Sequence, residues 1–322
     1  MNKFIIDNFR LLIQKYNDEK LPNYIFKIKT CYKVISIIEE LDFQLDNSNQ
    51  LKGIKGIGKK TLDKIDEIIN SDNNLLKEIK DNNKIVQQNI NINDSIDKLK
   101  TITGIGPAKA KSLIDKNITL EIVLDAYKNN NKEILSNLTH HQLLGLKYYN
   151  DLKFKIPRNI IEKFDYNLKK IFPECQFMIC GSYRRKKNES GDIDLLFSFD
   201  DNNPNLNLDF IVNKLISKSI IIDCLTQKGD TKFMGFCNID NYKYAMRIDI
   251  RIVNKKSFPF AILYFTGSKK TNTYMRNVSI KKGLKLSEYG LFTNSGELIK
   301  DLNSEQDIFE FLGLDYLEPN NR

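Results

Sequence analysis

The sequence predicts an α+β protein, helical in its N-terminal half and built on a sheet in its C-terminal half. Three observations carry this. Apolar residues recur at helical spacing up to about residue 150. Beyond that point, short β-branched and aromatic runs are bounded by glycine and polar turns. The helical half also holds one turn twice, Gly56-Ile57-Gly58 and Gly104-Ile105-Gly106.

Residues 1–82 form the first predicted domain. In "TCYKVISIIEEL", Val34, Ile35, Ile37, Ile38 and Leu41 make one apolar helical face, and "TLDKIDEIINS" continues the pattern. The polar stretch "KDNNKIVQQNININD" reads as a linker, followed by a second helical segment over 83–150. "CQFMICGS", "GDIDLLFSF" and "YAMRIDIRIV" read as strands of a third segment over 151–256. Residues 257–322 read as mixed structure closing on a helix, "SEQDIFEFLG".

Each Gly-Ile-Gly turn leads into a helix with basic residues in its first turns: "IKGIGKKTLDKI" and "ITGIGPAKAKSLI". This is the helix-hairpin-helix pattern. Its glycines let backbone N–H groups approach a phosphate, and the helix N-terminus adds positive potential. Such a turn holds a nucleic-acid backbone and reads no bases. A single GxG also suits an ordinary helix connection; two copies in a basic chain favour the phosphate reading.

The chain has 322 residues, with 50 Lys and Arg against 41 Asp and Glu, a net charge of +9. That surplus favours a polyanionic partner. No run approaches the apolar length of a membrane span, and "MNKFIIDNFR" lacks a signal-peptide core, so an intracellular soluble protein is expected. The five cysteines form no CxxC pair and read as reduced structural thiols. The two histidines, His140 and His141, are adjacent, which argues against a histidine-rich zinc site and a Ser-His-Asp triad.

The chemistry concentrates in "GSYRRKKNESGDIDLLF", residues 181–197. Asp192 and Asp194 are two apart, so on a strand both carboxylates share a face and Ile193 points to the other. Asp249, in "RIDIRIV", is a third acid within an apolar strand. Three carboxylates on neighbouring strands suit two Mg²⁺ ions, which prefer oxygen ligands and accept substrate phosphates as the rest of their shell. DxD alone also fits a solvated strand edge. The preceding Gly-Ser and Arg pair favours a site.

"GSYRR" followed by "SGDIDLL" resembles the nucleotidyltransferase signature of family X DNA polymerases, most closely the beta type. The resemblance runs along nearly the whole chain. "GIKGIGKKTLDKIDE" and "GIGPAKAKSL" resemble the two hairpins; "HHQLLGLKYY" and "KIPR" resemble the segment that follows. "GDTKFMGFC" and "MRIDIRIV" resemble the palm. "LYFTGSKKTNTYMRNVSIKKGLKLSEYGL" and "EQDIFEFLGLDYLEP" resemble the nucleotide-binding C-terminal subdomain. The implied architecture is helical helix-hairpin-helix domains, then a nucleotidyltransferase palm with a mixed or antiparallel sheet, then a small C-terminal α+β subdomain. A lyase domain plus a polymerase domain, without an N-terminal BRCT domain, is the expected arrangement.

The resemblance implies roles residue by residue. Asp192, Asp194 and Asp249 match the metal-binding triad, with Asp249 accepting the primer hydroxyl's proton. Ser182, Arg185 and Gly191 match the triphosphate contacts, and Lys155 stands where the beta type has an arginine. Tyr264 and Phe265, in "YFTG", match the wall beside the sugar, and Gly267 is a further nucleotide-binding position. Asn272 and Arg276 match minor-groove contacts to the nascent pair. Lys269 stands where the beta type has an aspartate near the incoming base. Lys64 matches the Schiff-base lysine of 5′-deoxyribose-phosphate lyase chemistry. Tyr32, Lys60 and Lys77 match supporting DNA-binding positions. Gly56, Gly58, Gly104 and Gly106 form the hairpin turns. The backbone carbonyls of Lys52, Ile54 and Ile57, and of Lys100, Ile102 and Ile105, would hold K⁺ or Na⁺ against a DNA phosphate.

The function expected is a template-dependent DNA polymerase filling short gaps in base excision repair, with 5′-deoxyribose-phosphate lyase activity. Its cofactors would be two Mg²⁺ ions, or Mn²⁺ in their place. Its partners would be gapped or nicked double-stranded DNA and deoxynucleoside triphosphates, with no membrane. A monomer is expected, in the nucleus of a cell, or in a virion or viral replication site. Two alternatives stay open: a template-independent nucleotidyltransferase, and a non-catalytic DNA-end-binding protein.

Overall fold

The computed structural model describes residues 2–20, 22–71, 74–80, 92–199, 207–226, 229–239, 242–299 and 302–322. The chain divides into two compact units. One comprises Met1–Thr101 with Ile105–Asn130, the other Ile102–Gly104 with Asn131–Arg322. Most of the linker expected after residue 80, and the boundary at residue 82, lie outside the described residues.

The first unit is helical. Its elements are α1 (Lys3–Glu19), α2 (Tyr24–Glu39), a 3₁₀ turn (Ser48–Leu51), α3 (Lys59–Asn70), α4 (Lys77–Lys80), α5 (residues 92–99), α6 (Pro107–Ile114) and α7 (Leu120–Lys128). The expected apolar stripe of α2 is buried at Val34, Ile35 and Ile38, against Phe9 and Leu12 of α1 and Ile65 and Ile68 of α3. Burying each such side chain is worth about 1.5–3 kcal/mol, which is why periodicity alone located these helices. One buried polar residue organises the connection after α3. Asn8 Oδ1 accepts the Leu76 N–H at 3.0 Å, and its Nδ2 donates to the Asn74 carbonyl at 2.7 Å. A buried amide satisfied on both sides pins α4 against α1.

The two hairpin turns match in backbone as in sequence. Gly56 and Gly104 have φ of +108° and +89°, a left-handed conformation that favours glycine. Gly58 and Gly106 are extended N-caps of α3 and α6, with Pro107 opening α6.

The second unit opens with α8 (Lys132–Leu135) and α9 (His140–Lys147). The adjacent histidines are the first two residues of α9, behind a capping box of Thr139 and Gln142. Then come β1 (Ile156–Pro157), α10 (Arg158–Ile171), β2 (Gln176–Ile179), α11 (Gly181–Arg184), β3 (Glu189–Ser190) and β4 (Ile193–Phe199). Next are α12 (Leu208–Ser217), β5 (Ile221–Cys224), β6 (Lys232–Cys237) and β7 (Met246–Asn254). The chain ends with α13 (Phe258–Thr266), α14 (Lys269–Lys281), β8 (Leu284–Ser287), β9 (Gly290–Thr293) and α15 (Glu305–Phe311).

Five strands form a sheet in the order β2-β4-β7-β6-β5, with β4 and β7 parallel and the other pairs antiparallel. Period two divides β4 and β7. Ile193, Leu195 and Phe197, with Ile248, Ile250 and Ile252, bury against α10 and α12. The opposite face carries the acids, and Leu196 and Val253 further along pack on Phe258 and Ala261 of α13. The mixed sheet follows the expectation.

Candidate active sites

The palm site arises from register. β4 and β7 pair Asp194 with Asp249 directly, so two residues remote in sequence become neighbours on one face. Asp192 lies in the bend just before β4 rather than on the strand, because strand pairing begins at Ile193. It still reaches the same cluster through Arg247. The Arg247 Nη2 donates to Asp192 Oδ2 at 3.2 Å and to Asp249 Oδ2 at 3.0 Å.

The sequence reading missed Arg247. Its signal was present, since "RID" puts Arg247 and Asp249 on one strand face, and an internal counter-ion belongs beside crowded carboxylates. Among the described residues, no group of three or more His, Cys, Asp or Glu stands as a ready metal-holding cluster. The arginine instead lies between two of the three acids.

The electrostatics suit a cation at the acids. Burial, then the charges of Asp192 and Asp249, push Asp194 up to about 7. Burial likewise raises Asp249, against the opposing charge of Arg247. Asp249 Oδ1 is buried and has no hydrogen-bond partner. Crowded acids with an orphaned inner oxygen fit a divalent cation, whose charge would relieve both penalties.

Gly181 lets the preceding turn close on this cluster. Its φ is +58°, and a Cβ there would overlap Asp194 Oδ2. The Asp194 carbonyl also accepts the Cys180 N–H at 2.8 Å. An open cleft of about 570 Å³ extends from the acids to α14. Ser182, Arg185, Asp192 and Asp194 line one side, and Tyr264, Phe265, Gly267, Lys269, Asn272 and Arg276 the other. Its volume is that of a site for a molecule of nucleotide size. Gly191 and Lys155 are not among the residues lining the cleft; they lie together beside it, the Lys155 ammonium facing the Gly191 backbone.

The cleft walls are held in place. Arg185 Nη1 donates to the Thr266 carbonyl at 2.6 Å. Asn272 Nδ2 donates to the Tyr264 carbonyl at 2.7 Å. The Arg276 guanidinium lies 4.9 Å from the Tyr264 ring centre. Arg184, the first of the arginine pair, faces away from the cleft. It bonds Glu305 through two nitrogens at 3.0 and 2.5 Å, and Thr266 Oγ1 at 2.7 Å. Arg322 adds a bond to Glu305 at 2.5 Å. This network ties α11 to the C-terminal segment, and the sequence held no sign of it.

A second site lies in the helical unit. Lys64, half-buried on α3, forms an ion pair with Glu78 of α4. Tyr16 Oη donates to the other carboxylate oxygen at 3.0 Å, and Lys15 Nζ to the Glu78 carbonyl at 2.6 Å. Burial pushes the neighbouring Cys31 thiol up to about 11. The geometry thus pairs Lys64 with Glu78 rather than with Tyr32, Lys60 or Lys77. Lys60, one turn earlier on α3, is exposed, as are Tyr32 and Lys77. Glu78 was not singled out in the sequence, because tertiary contacts bring α4 to α3: the Asn8 bonds, the Lys77 N–H donated to Glu67 Oε1 at 2.6 Å, and burial of Leu75, Leu76 and Ile79.

In the first hairpin the Ile54 carbonyl accepts the Ile57 N–H at 3.0 Å, which leaves it one lone pair for a cation. Lys52 is exposed, whereas Ile102 and Ile105 are buried side chains whose backbones form the second turn. Lys100 Nζ pairs with Asp97 Oδ1 at 2.8 Å, so only its backbone is offered to the hairpin.

Comparison with known proteins follows the same order along the chain. A helix-hairpin-helix domain matches residues 2–73, a DNA polymerase beta palm residues 155–255, and a DNA polymerase beta thumb residues 261–322. Among similar proteins, DNA polymerase lambda of Arabidopsis thaliana is 28% identical over 100% of this chain and 62% of its own length. DNA polymerase lambda of Rattus norvegicus is 26% identical over 90% of this chain and 51% of its own. The DNA nucleotidylexotransferase of Xenopus laevis is 25% identical over 88% and 61%. The chain therefore spans between half and about three-fifths of the length of these relatives. With a hairpin domain, palm and thumb matched in sequence order, and the paired acids seated on the palm's parallel strands, the chain belongs to family X of the DNA polymerases.

Proposed function

We propose that the protein is a template-directed DNA polymerase that fills short gaps in duplex DNA during base excision repair, with a 5′-deoxyribose-phosphate lyase in its helical unit. One observation carries the polymerase reading. The parallel register sets Asp194 beside Asp249, and Asp194 with Asp192 lines a cleft that also holds Ser182 and Arg185. Negative and positive groups in one cleft suit a ligand that brings both phosphates and metal ions.

In this reading Ser182 and Arg185 hold the triphosphate of an incoming deoxynucleotide, with Gly191 and Lys155 at its outer end. Asp192, Asp194 and Asp249 hold two Mg²⁺ ions, or Mn²⁺, which when bound supply Lewis-acid charge at the triphosphate and the primer hydroxyl. Asp249 accepts the primer hydroxyl's proton. Arg247, bonded to Asp192 and Asp249, would give up those bonds to a bound cation. Tyr264, Phe265 and Gly267 shape the sugar end, and Asn272 and Arg276 reach the nascent pair.

The functional division is lyase over 1–82, DNA grip over 83–150, palm over 151–256 and nucleotide-binding subdomain over 257–322. Gly56, Gly58, Gly104 and Gly106 present backbone N–H groups to DNA phosphates. The backbone carbonyls of Lys52, Ile54, Ile57, Lys100, Ile102 and Ile105 would hold K⁺ or Na⁺, which would supply positive charge for a DNA phosphate. Tyr32, Lys60 and Lys77 seat the 5′ end near Lys64. The protein acts as a monomer inside the cell, where its DNA is.

Among the described residues, no helix is long and apolar enough to cross a membrane. Likeness to a nucleotidylexotransferase gives template-independent addition as a second reading. A gapped duplex with a 5′-phosphate tests both: incorporation should require the template base and Mg²⁺, and should exceed that on an open primer–template. Equal addition without a template would replace the first reading by the second.

A further inference from the structure

We propose that Glu78 is the proton relay for Schiff-base formation at Lys64, an inference that rests on the lyase reading. The carboxylate is built into its place. Asn8 holds the chain at Asn74 and Leu76, Lys15 holds the Glu78 carbonyl, and Tyr16 Oη occupies Oε1. That leaves Oε2 for the Lys64 ammonium.

The groups facing Glu78 come from three helices: Lys15 and Tyr16 on α1, Cys31 on α2 and Lys64 on α3. Burial and the Glu78 charge hold the Tyr16 hydroxyl well above its ordinary value, and burial pushes the Cys31 thiol up to about 11. Both therefore stay protonated near neutrality. Burial works to raise the Glu78 carboxyl, but its bonds to Lys64 and Tyr16 outweigh this and hold it below the usual range. It is thus the one anion in contact with the reacting nitrogen among the described residues.

The reaction needs such a group. An ammonium has three N–H protons and the iminium has one, so two must pass from nitrogen to the departing oxygen. Glu78 takes the first proton from Lys64 Nζ. The freed lone pair forms the N–C bond to the aldehyde carbon of the 5′-deoxyribose phosphate. The C=O π pair moves to oxygen, which takes the proton back from Glu78. Glu78 then takes a second N–H proton and passes it to the hydroxyl. Water leaves with the C–O pair, and the nitrogen lone pair closes the C=N bond. Glu78 ends as the carboxylate it was at the start, so its low affinity for protons costs nothing overall.

The test is single-turnover borohydride trapping of the full chain on a 5′-deoxyribose-phosphate end, across pH, with Lys64→Ala alongside. Glu78→Gln should slow trapping by at least about tenfold near neutrality, the low end for lost acid–base catalysis. Its rate should climb with rising pH, as hydroxide takes over deprotonation. Formate added to Glu78→Ala should restore part of the rate, and gapped-DNA affinity serves as the control for folding. Wild-type trapping by Glu78→Gln would overturn the inference while Lys64→Ala still abolishes trapping. Faster trapping would also overturn it, since the carboxylate would then merely hold the amine protonated. A loss that neither pH nor formate relieves reduces Glu78 to a structural partner. Undiminished trapping by Lys64→Ala would instead sink the lyase assignment itself, with Lys60 the next candidate.

Discussion

Asp194→Asn should stabilise the metal-free protein while destroying its polymerase activity. Asp194 sits at about 7, raised from 3.8 first by burial and then by the charges of Asp192 and Asp249. A raised carboxyl means that the folded state binds the proton more tightly than the unfolded chain does. Its favourable contribution is complete below the unfolded value and is lost as pH rises through the folded one. The rise of about three units corresponds to about 4 kcal/mol between the fully protonated and fully ionised limits. By about pH 8 nearly all of that penalty is present, and at about pH 5.5 roughly half, because the folded acid is still protonated there. An asparagine has the same shape and no charge, so its advantage should grow by about 2 kcal/mol between those pH values. That comparison cancels any fixed cost of the amide. Urea unfolding in the presence of a chelator, followed by a probe in the palm, measures it. Mg²⁺ should narrow the difference at the higher pH by stabilising the wild type alone. A pH-independent difference, or a variant less stable at the higher pH, would refute the account of Asp194 as a crowded, cation-seeking acid.

Asp249→Ala should abolish incorporation yet bind gapped DNA nearly as wild type, since binding rests on hairpins and basic surface; primer extension and filter binding separate the two. Lys64→Ala should lose borohydride trapping while gap filling continues, because Lys64 and the palm acids lie in different compact units. Glu305→Ala should destabilise the second unit by about 3–5 kcal/mol, as for other broken buried pairs, since it strands the buried Arg184 and Arg322 guanidiniums; a change under 1 kcal/mol in urea unfolding would show the network to be replaceable. Lys269→Asp should weaken all four nucleotides alike, by about 1 kcal/mol or less as for other solvent-screened charges, because Lys269 lines the open cleft; single-nucleotide kinetics on a one-base gap would show unchanged KM for each if it takes no part.

Local features were legible in the sequence because short-range geometry governs them. Two carboxylates two apart at the start of a strand were expected to meet, and Asp192 and Asp194 line one cleft, although Asp192 sits in the bend before β4. A Gly-Ile-Gly turn needs left-handed backbone at its first glycine, and Gly56 and Gly104 supply it at matching positions. The stripe of Val34, Ile35 and Ile38 located a helix, since nothing else buries that spacing. Which distant residues meet was decided by tertiary structure alone. Nothing in "RIDIRIV" states that Asp249 lies beside Asp194; the parallel pairing of β4 with β7 does that. The charge state of Asp194 follows from that pairing and from burial, neither of which is a property of its neighbours in sequence. Arg184 stands next to Arg185 in sequence, yet it reaches a glutamate 121 residues away. Glu78 meets Lys64 because buried Asn8, the Glu67 carboxylate and the core residues Leu75, Leu76 and Ile79 hold the segment that carries it. Periodicity reports which side of an element is dry; charge, register and partner depend on distances that form only when the core closes.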